Sequence, residues 1–269
     1  MKSILLHVYD DTGLESRMQA AFDLARVFEG HITCLHSTPF EDYLQNDPLT
    51  ATRLPAEFSK KMKRLRESIQ ARVEERLRVE GVSWDWIHLD DLPSSSLARL
   101  SIVSDLVIVS HAGRALLKDE PRPLAAAVAA EGRAPVLTVP ETLRRLDLAR
   151  PILIAWNGSS EAAAAMRASV PLLAHAANVQ LLEVEDKIAA YPRDLAARYL
   201  ARHGIEVEIV QKRPIEGSVS DTIEGAAREL GASMIVMGAY GHSRLREFFL
   251  GGVTRNLLRD CGLPLFLAH

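Results

Sequence analysis

Two pairs of glycines stand close together near the end of the chain: Gly238-Ala239-Tyr240-Gly241 and, after nine further residues, Gly251-Gly252. The first pair follows the apolar run Met234-Ile235-Val236-Met237, which reads as a strand. The second opens Val253-Thr254-Arg255-Asn256-Leu257-Leu258, where Val253, Leu257 and Leu258 share one helical face. Strand ends and helix starts are where α/β proteins present backbone to an anion. Glycine lets a phosphate approach the main chain closely. The first amides of a helix lack intrahelical partners and lie at the positive end of its dipole. Turn formation alone would explain one such pair; two pairs in these two places point to phosphate binding. No Gly-Lys-Ser/Thr follows, so this is not a Walker A loop, and no GxGxxG follows the first strand.

The elements that must position these glycines come from a chain written twice. Ile4-Leu5-Leu6-His7-Val8-Tyr9 opens one half and Ile152-Leu153-Ile154-Ala155-Trp156-Asn157 the other. The displacement that carries Ile4 to Ile152 also carries Met18 to Met166 in the helices that follow. A second displacement aligns Ser104-Asp105-Leu106-Val107-Ile108-Val109 with Ala232-Ser233-Met234-Ile235-Val236-Met237. Each half closes on a proline-led strand, at 135–139 and 264–268. A repeat of this length is a domain duplication. Between these landmarks the spacing predicts strands at 32–35, 84–89, 179–184 and 205–210. It predicts a helix over 57–80 with Phe58, Met62, Leu65, Ile69, Val73 and Leu77 inward, ended by Gly81, and another over 193–203, ended by Gly204. Alternating strands and helices imply βαβ units and a parallel sheet. The expected domains are 1–141 and 151–269, joined by the charged stretch 141–150.

The spacing Gly238, Gly241, Gly251 resembles the hallmark of the universal stress protein family: Gly, two residues, Gly, nine residues, Gly, then Ser or Thr. The fourth place departs, because Gly252 stands where the hydroxyl residue belongs; Thr254 is the nearest replacement. The resemblance implies a tandem protein with an α/β fold, each domain a five-stranded parallel sheet flanked by helices, similar to Rossmann-like and adenine-nucleotide alpha-hydrolase-like folds. It also implies ATP as ligand, with Mg2+ bridging its phosphates, since hard cations prefer oxygen. On that basis Gly238, Tyr240, Gly241, Gly251, Gly252, Val253 and Thr254 would surround the phosphates. Ala155, Trp156, Asn157 and Val184 would form the base and sugar walls, although Trp156 is bulky enough to be plain core. Family ATP binders often carry Asp where Asn157 stands; Asn keeps hydrogen-bonding capacity without charge. Ser159 and Ser160 read more simply as caps of the next helix. Family dimers pair through the last strand, so 135–139 and 264–268 are expected to meet within the chain as a pseudo-dimer. Association of two chains through another face stays open.

The first half serves as the control. Ser110-His111-Ala112-Gly113 aligns with Gly238 to Gly241, and Pro123-Leu124 with Gly251-Gly252. Three glycines are lost, a proline removes an amide, and Tyr9 replaces Asn157. No nucleotide is expected there. A metal or apolar ligand in that half is a rival reading, resting on His7, His31, His36 and His111. These lack a ligand motif and read better as scattered histidines. No GxSxG elbow is present, and Glu216-Gly217-Ser218 reads as a helix cap. The basic run 60–66 reads as a solvated helix face rather than a partner site.

The bulk composition agrees with a globular protein: 269 residues, 48% hydrophobic, 25% charged. A net charge of −3 gives no field to attract nucleic acid. Cys34 and Cys261 read as small buried hydrophobes. With no signal-like or membrane-spanning run, a cytoplasmic location is expected. The function expected is a stress-linked, ATP-dependent sensor or regulator with an unidentified protein partner. Weak ATP hydrolysis is the alternative, with His242 and Glu247 the nearest candidate bases.

Overall fold

The computed structural model describes residues 1–38, 55–111, 124–185, 191–239 and 251–269, with side chains from residue 60 onward in the helix that starts at Pro55. The first half runs β1 (Ser3–Val8), α1 (Leu14–Phe28), β2 (His31–Ser37), α2 (Pro55–Glu80), β3 (Ser83–Leu89), α3 (Pro93–Leu100), a 3-10 turn at Ser101–Val103, β4 (Leu106–Ser110), α4 (Leu124–Glu131) and β5 (Val136–Val139). The second runs β6 (Ile152–Trp156), α5 (Ser160–Leu173), β7 (Val179–Val184), α6 (Arg193–Arg202), β8 (Val207–Lys212), α7 (Val219–Leu230), β9 (Met234–Gly238), α8 (Gly252–Asp260) and β10 (Leu265–Ala268).

The described strands form one sheet in the order β3-β2-β1-β4-β5-β10-β9-β6-β7-β8. Pairing is parallel within each half. At the junction β5 and β10 are antiparallel, with Leu137 opposite Phe266. The two five-stranded halves therefore run in opposite directions, and their carboxyl ends emerge at opposite edges. The register preserves both displacements read from the sequence, since Ile4 pairs with Leu106 and Ile152 with Met234.

The strands are apolar along their length because helices cover both faces. Ile4, Leu6, Val8, Ile152, Ile154, Trp156 and Phe266 pack under α1, α2, α5 and α6. Leu5, Val107, Val109, Leu153, Ile235 and Leu267 pack under α3, α4, α7 and α8. Among the described residues no helix is long and apolar enough to cross a membrane.

Three details differ from the sequence expectation. Strand β8 begins at Val207 rather than Ile205. Gly204 adopts φ +74, and the Ile205 amide folds back to Leu200 O at 3.0 Å, so Ile205 completes the end of α6. In α2, Ile69, Val73 and Leu77 are buried as expected, but Leu65 is 49% exposed. The charged connection between the halves is also docked. Leu146 and Leu148 enter the core beside α1, the Leu146 amide donates to Asp23 Oδ2 at 2.8 Å, and Ser16 Oγ donates to Glu141 O at 2.6 Å.

Candidate functional site

At β6 the strand order reverses, with β7 on one side and β9 on the other. Helices then leave on opposite faces, and in open α/β sheets ligands bind beyond the carboxyl ends at such a point. Strand alternation sorts the residues that reach it. Ala155, Val184 and Val253 are partly buried and pack on the face covered by α7 and α8. Trp156 points to the other face; it is 4% exposed, and its Nε1 donates to Tyr191 O at 3.3 Å. Its indole is therefore core rather than wall.

Asn157 is exposed, and its Oδ1 accepts from the Ser159 amide at 3.1 Å. Ser159 caps α5, its Oγ accepting from the Ala162 amide at 3.1 Å. Ser159 is thus committed to the helix start, as the sequence suggested. Because the Asn157 oxygen faces this backbone, its Nδ2 is the group left to address a ligand. Gly158 makes the turn with φ +69, a conformation that favours glycine. Glu183, at the end of β7 opposite Trp156, is held by Arg193 and by Gln211 Nε2. Its negative charge is thereby offset beside strand ends expected to take an anion.

The glycines divide into two kinds. A Cβ on Gly238 would lie 2.5 Å from Ala162 N and 2.6 Å from Glu161 C. Gly238 is needed for close packing of β9 against the start of α5. Gly251 and Gly252 are exposed at the start of α8; Gly251 has φ −55 and ψ 140, open to any residue. Among the described residues a Cβ on either would meet nothing within 4 Å. The Arg255 amide makes the first helical bond, to Gly251 O at 3.1 Å. The amides of Gly252, Val253 and Thr254 therefore sit at the open end of the helix. This arrangement fits a phosphate group. The Thr254 side chain lies on the buried side of α8 with Leu257 and Leu258. Tyr240, Gly241, His242 and Glu247 lie outside the described residues. Among the described residues no cluster of three or more metal-ligating side chains occurs.

At the equivalent strand ends of the first half a side chain of α1 occupies the backbone acceptors. Arg17 of α1 is fully buried. Its Nε donates to His7 O at 2.9 Å, and its terminal nitrogens donate to Tyr9 O at 3.1 Å, to Asp11 and to Ser110 Oγ. Burial lowers the Arg17 pKa, and Asp11 opposes that shift. The guanidinium so placed ties the ends of β1 and β4 together. Ala165, its counterpart in the repeat, has no such reach. Sequence reading missed Arg17 because nothing distinguishes it from a surface arginine on a helix. The candidate histidines stay apart from any metal site among the described residues. His36 Nδ1 and His88 Nδ1 share a contact at 3.0 Å, and His31 Nδ1 contacts Ser83 Oγ. His111 bridges Thr138 Oγ1 and Leu263 O across the junction of the halves.

The universal stress protein family profile matches residues 149–269. No curated protein matches the chain. Among solved structures, a universal stress protein from Archaeoglobus fulgidus DSM 4304 superposes with a TM-score of 0.73 at 16% identity, covering 99% of this chain and 96% of that one. A functionally unknown protein from Pseudomonas aeruginosa PAO1 superposes with a TM-score of 0.61 at 16% identity, covering 100% of this chain and 92% of that one. At such identities these likenesses speak for the fold. Residues 149–269 thus match the universal stress protein family, and the full length shares the fold of the Archaeoglobus fulgidus universal stress protein.

Proposed function

We propose that the C-terminal domain, residues 151–269, binds an adenine nucleotide, ATP with Mg2+ on its phosphates, and that the protein works in the cytoplasm as a nucleotide-dependent regulator in a stress response. The observation that carries this reading is the glycine pair at the start of α8. Neither backbone conformation nor packing among the described residues calls for glycine at 251 or 252. An anion seated on the helix amides does, since a side chain would hold it off the backbone. Asn157 Nδ2 addresses the ribose, and Ala155 and Val184 offer the half-buried apolar surface a base needs.

In this reading the first half, residues 1–141, is a non-binding partner domain, its strand-end carbonyls taken by Arg17. The test is calorimetric titration of the full chain with ATP and Mg2+, with nucleotide content measured in an acid extract of the protein as purified. One ATP per chain is expected. Failure both to find ATP in the extract and to bind added ATP would sink the reading. Bound ATP that stays intact for hours supports a sensor, and turnover supports the hydrolytic alternative.

A further inference from the structure

We propose that His36 and His88 form an acid-sensitive latch that fastens the carboxyl end of the edge strand β3 to β2, and that uptake of a second proton between the two rings releases it. The inference stands apart from the nucleotide reading. Among the described strands β3 is outermost in the first half and pairs with β2 alone. His36 and His88 are partners in that pairing. Their Nδ1 atoms lie 3.0 Å apart, His88 Nδ1 is 3.2 Å from His36 O, and His88 Nε2 is 3.0 Å from Asp90 Oδ1. An ionised carboxylate only accepts, so His88 Nε2 carries a proton. Between the two Nδ1 atoms one proton makes a hydrogen bond. A second would set N–H against N–H, in rings whose centroids are 5.2 Å apart.

The repeat gives this place a role. The displacement that carries Ile4 to Ile152 also carries Val8 to Trp156. Val8, His36 and His88 lie side by side across β1, β2 and β3, as Trp156, Glu183 and Gln211 do across β6, β7 and β8. In the second half Gln211 Nε2 donates to Glu183 Oε2 at 3.2 Å. Both outer strands are thus tied at one register position by side chains, and the first-half tie is the one built of imidazoles. The surroundings of His36 resist its protonation. Burial is the main cause that lowers its pKa from 6.5 to about 4; His88 and Arg66 of α2 add to the shift, and Asp90 opposes it. His7 of β1 is a further imidazole within electrostatic reach. Because the folded value is depressed, the open strand end takes up the proton first. The latch is closed above about pH 6.5 and weakens as pH falls toward 4. The remaining ties at that end, the Thr38 amide to Leu89 O at 3.2 Å and Ser37 Oγ to Asp91 O at 2.6 Å, do not titrate. Release also uncovers Trp86, whose indole stacks on His36 at 6.0 Å.

The experiment follows residue-resolved amide exchange, corrected for intrinsic rates, and histidine ring titration by NMR in the full chain between pH 6.5 and 4. The proteins are wild type, His88→Gln and Asp90→Asn. In wild type the carboxyl end of β3 should lose protection at least about tenfold, the equivalent of one pKa unit, while β1 and β4 keep theirs. His88→Gln should hold β3 closed, because a glutamine oxygen accepts from a protonated His36. It should also raise the His36 titration by about one unit, a like charge having gone, whereas Asp90→Asn should lower it. Protection of β3 that does not change with pH in wild type overturns the latch. So does loss of protection in β1 and β4 together with β3, which is global unfolding. Opening of His88→Gln at the same pH as wild type overturns the role of the paired rings. Should a variant fold poorly, the wild-type exchange profile decides alone.

Discussion

Gly238 stands in the second half where Ser110 stands in the first, and the two positions meet the same crowding from opposite sides. In the first half Ser110 keeps its side chain and the facing helix start carries Gly13, where a Cβ would lie 2.3 Å from Ser110 Oγ. In the second half the facing position is Glu161, and the strand end gives way instead. A Cβ on Gly238 would strike Ala162 N and Glu161 C. The close approach of the helix to the strand end is common to both halves, and the glycine that permits it has changed sides.

Gly238→Ala should therefore destabilise the protein with or without nucleotide. The atoms in the way are backbone and cannot rotate aside, so the loss should be roughly 1–3 kcal/mol, the usual range for overpacking. Urea denaturation of the nucleotide-free protein measures it. An unchanged midpoint would mean that α5 retreats easily and that packing is not what holds glycine at 238. If the loss is seen, poor ATP binding by any Gly238 variant reports damaged packing before it reports a lost phosphate contact.

Gly252→Ala should behave in the opposite way. The added Cβ meets open space among the described residues, and alanine narrows the unfolded ensemble. Stability of the free protein should rise by roughly 0.4–1 kcal/mol. ATP affinity should fall, because the methyl group lies between the helix amides and their anion. Stabilisation with no change in ATP affinity would remove Gly252 from the phosphate site.

Arg17→Ala should be among the most damaging single changes in the first half. It strips hydrogen-bond donors from His7 O, Tyr9 O and Ser110 Oγ and leaves Asp11 without its cation. Breaking a buried charged network of this kind costs about 3 kcal/mol or more. Arg17→Lys should recover little, since a single ammonium cannot span acceptors arranged for a planar fork. Equilibrium urea unfolding with both variants decides it; a loss below about 1 kcal/mol in each would show that solvent replaces the guanidinium.

Much of this architecture was legible because it rests on local pattern. The duplication shows in the apolar runs at Ile4 and Ile152, and the register repeats it. The caps at Ser159 and Ser218 follow from their place before helical runs, and both side chains accept the expected amides. What stayed hidden depends on partners distant in sequence. Gly238 looks like any phosphate-turn glycine until Glu161 and Ala162 are seen against it. Arg17 sits in a helix between Ser16 and Met18, and only the strand-end carbonyls disclose its burial. Leu146 and Leu148 are masked by the charges around them in 141–150.

The junction of the halves should be sensitive to acid through His111. Its Nε2 faces Leu263 O at 2.9 Å, and a carbonyl oxygen can only accept, so that nitrogen carries the proton. Nδ1 then accepts from Thr138 Oγ1 at 2.7 Å, and the neutral ring is satisfied. Burial is the main cause that lowers the His111 pKa from 6.5 to about 4, while the carbonyls of Leu263 and Cys261 pull it partly back. Because the folded value is depressed, the unfolded chain takes up the proton first. The stability tied to His111 is complete above about pH 6.5 and is lost as pH falls toward 4, amounting to about 3 kcal/mol over that window. His111→Gln should flatten the pH dependence of unfolding free energy between pH 6.5 and 4. A residual slope should remain from His36, whose pKa burial likewise lowers to about 4, with His88 and Arg66 adding to the shift. Parallel pH profiles for wild type and His111→Gln, measured by urea unfolding at closely spaced pH, would show that the junction does not hold this ring neutral.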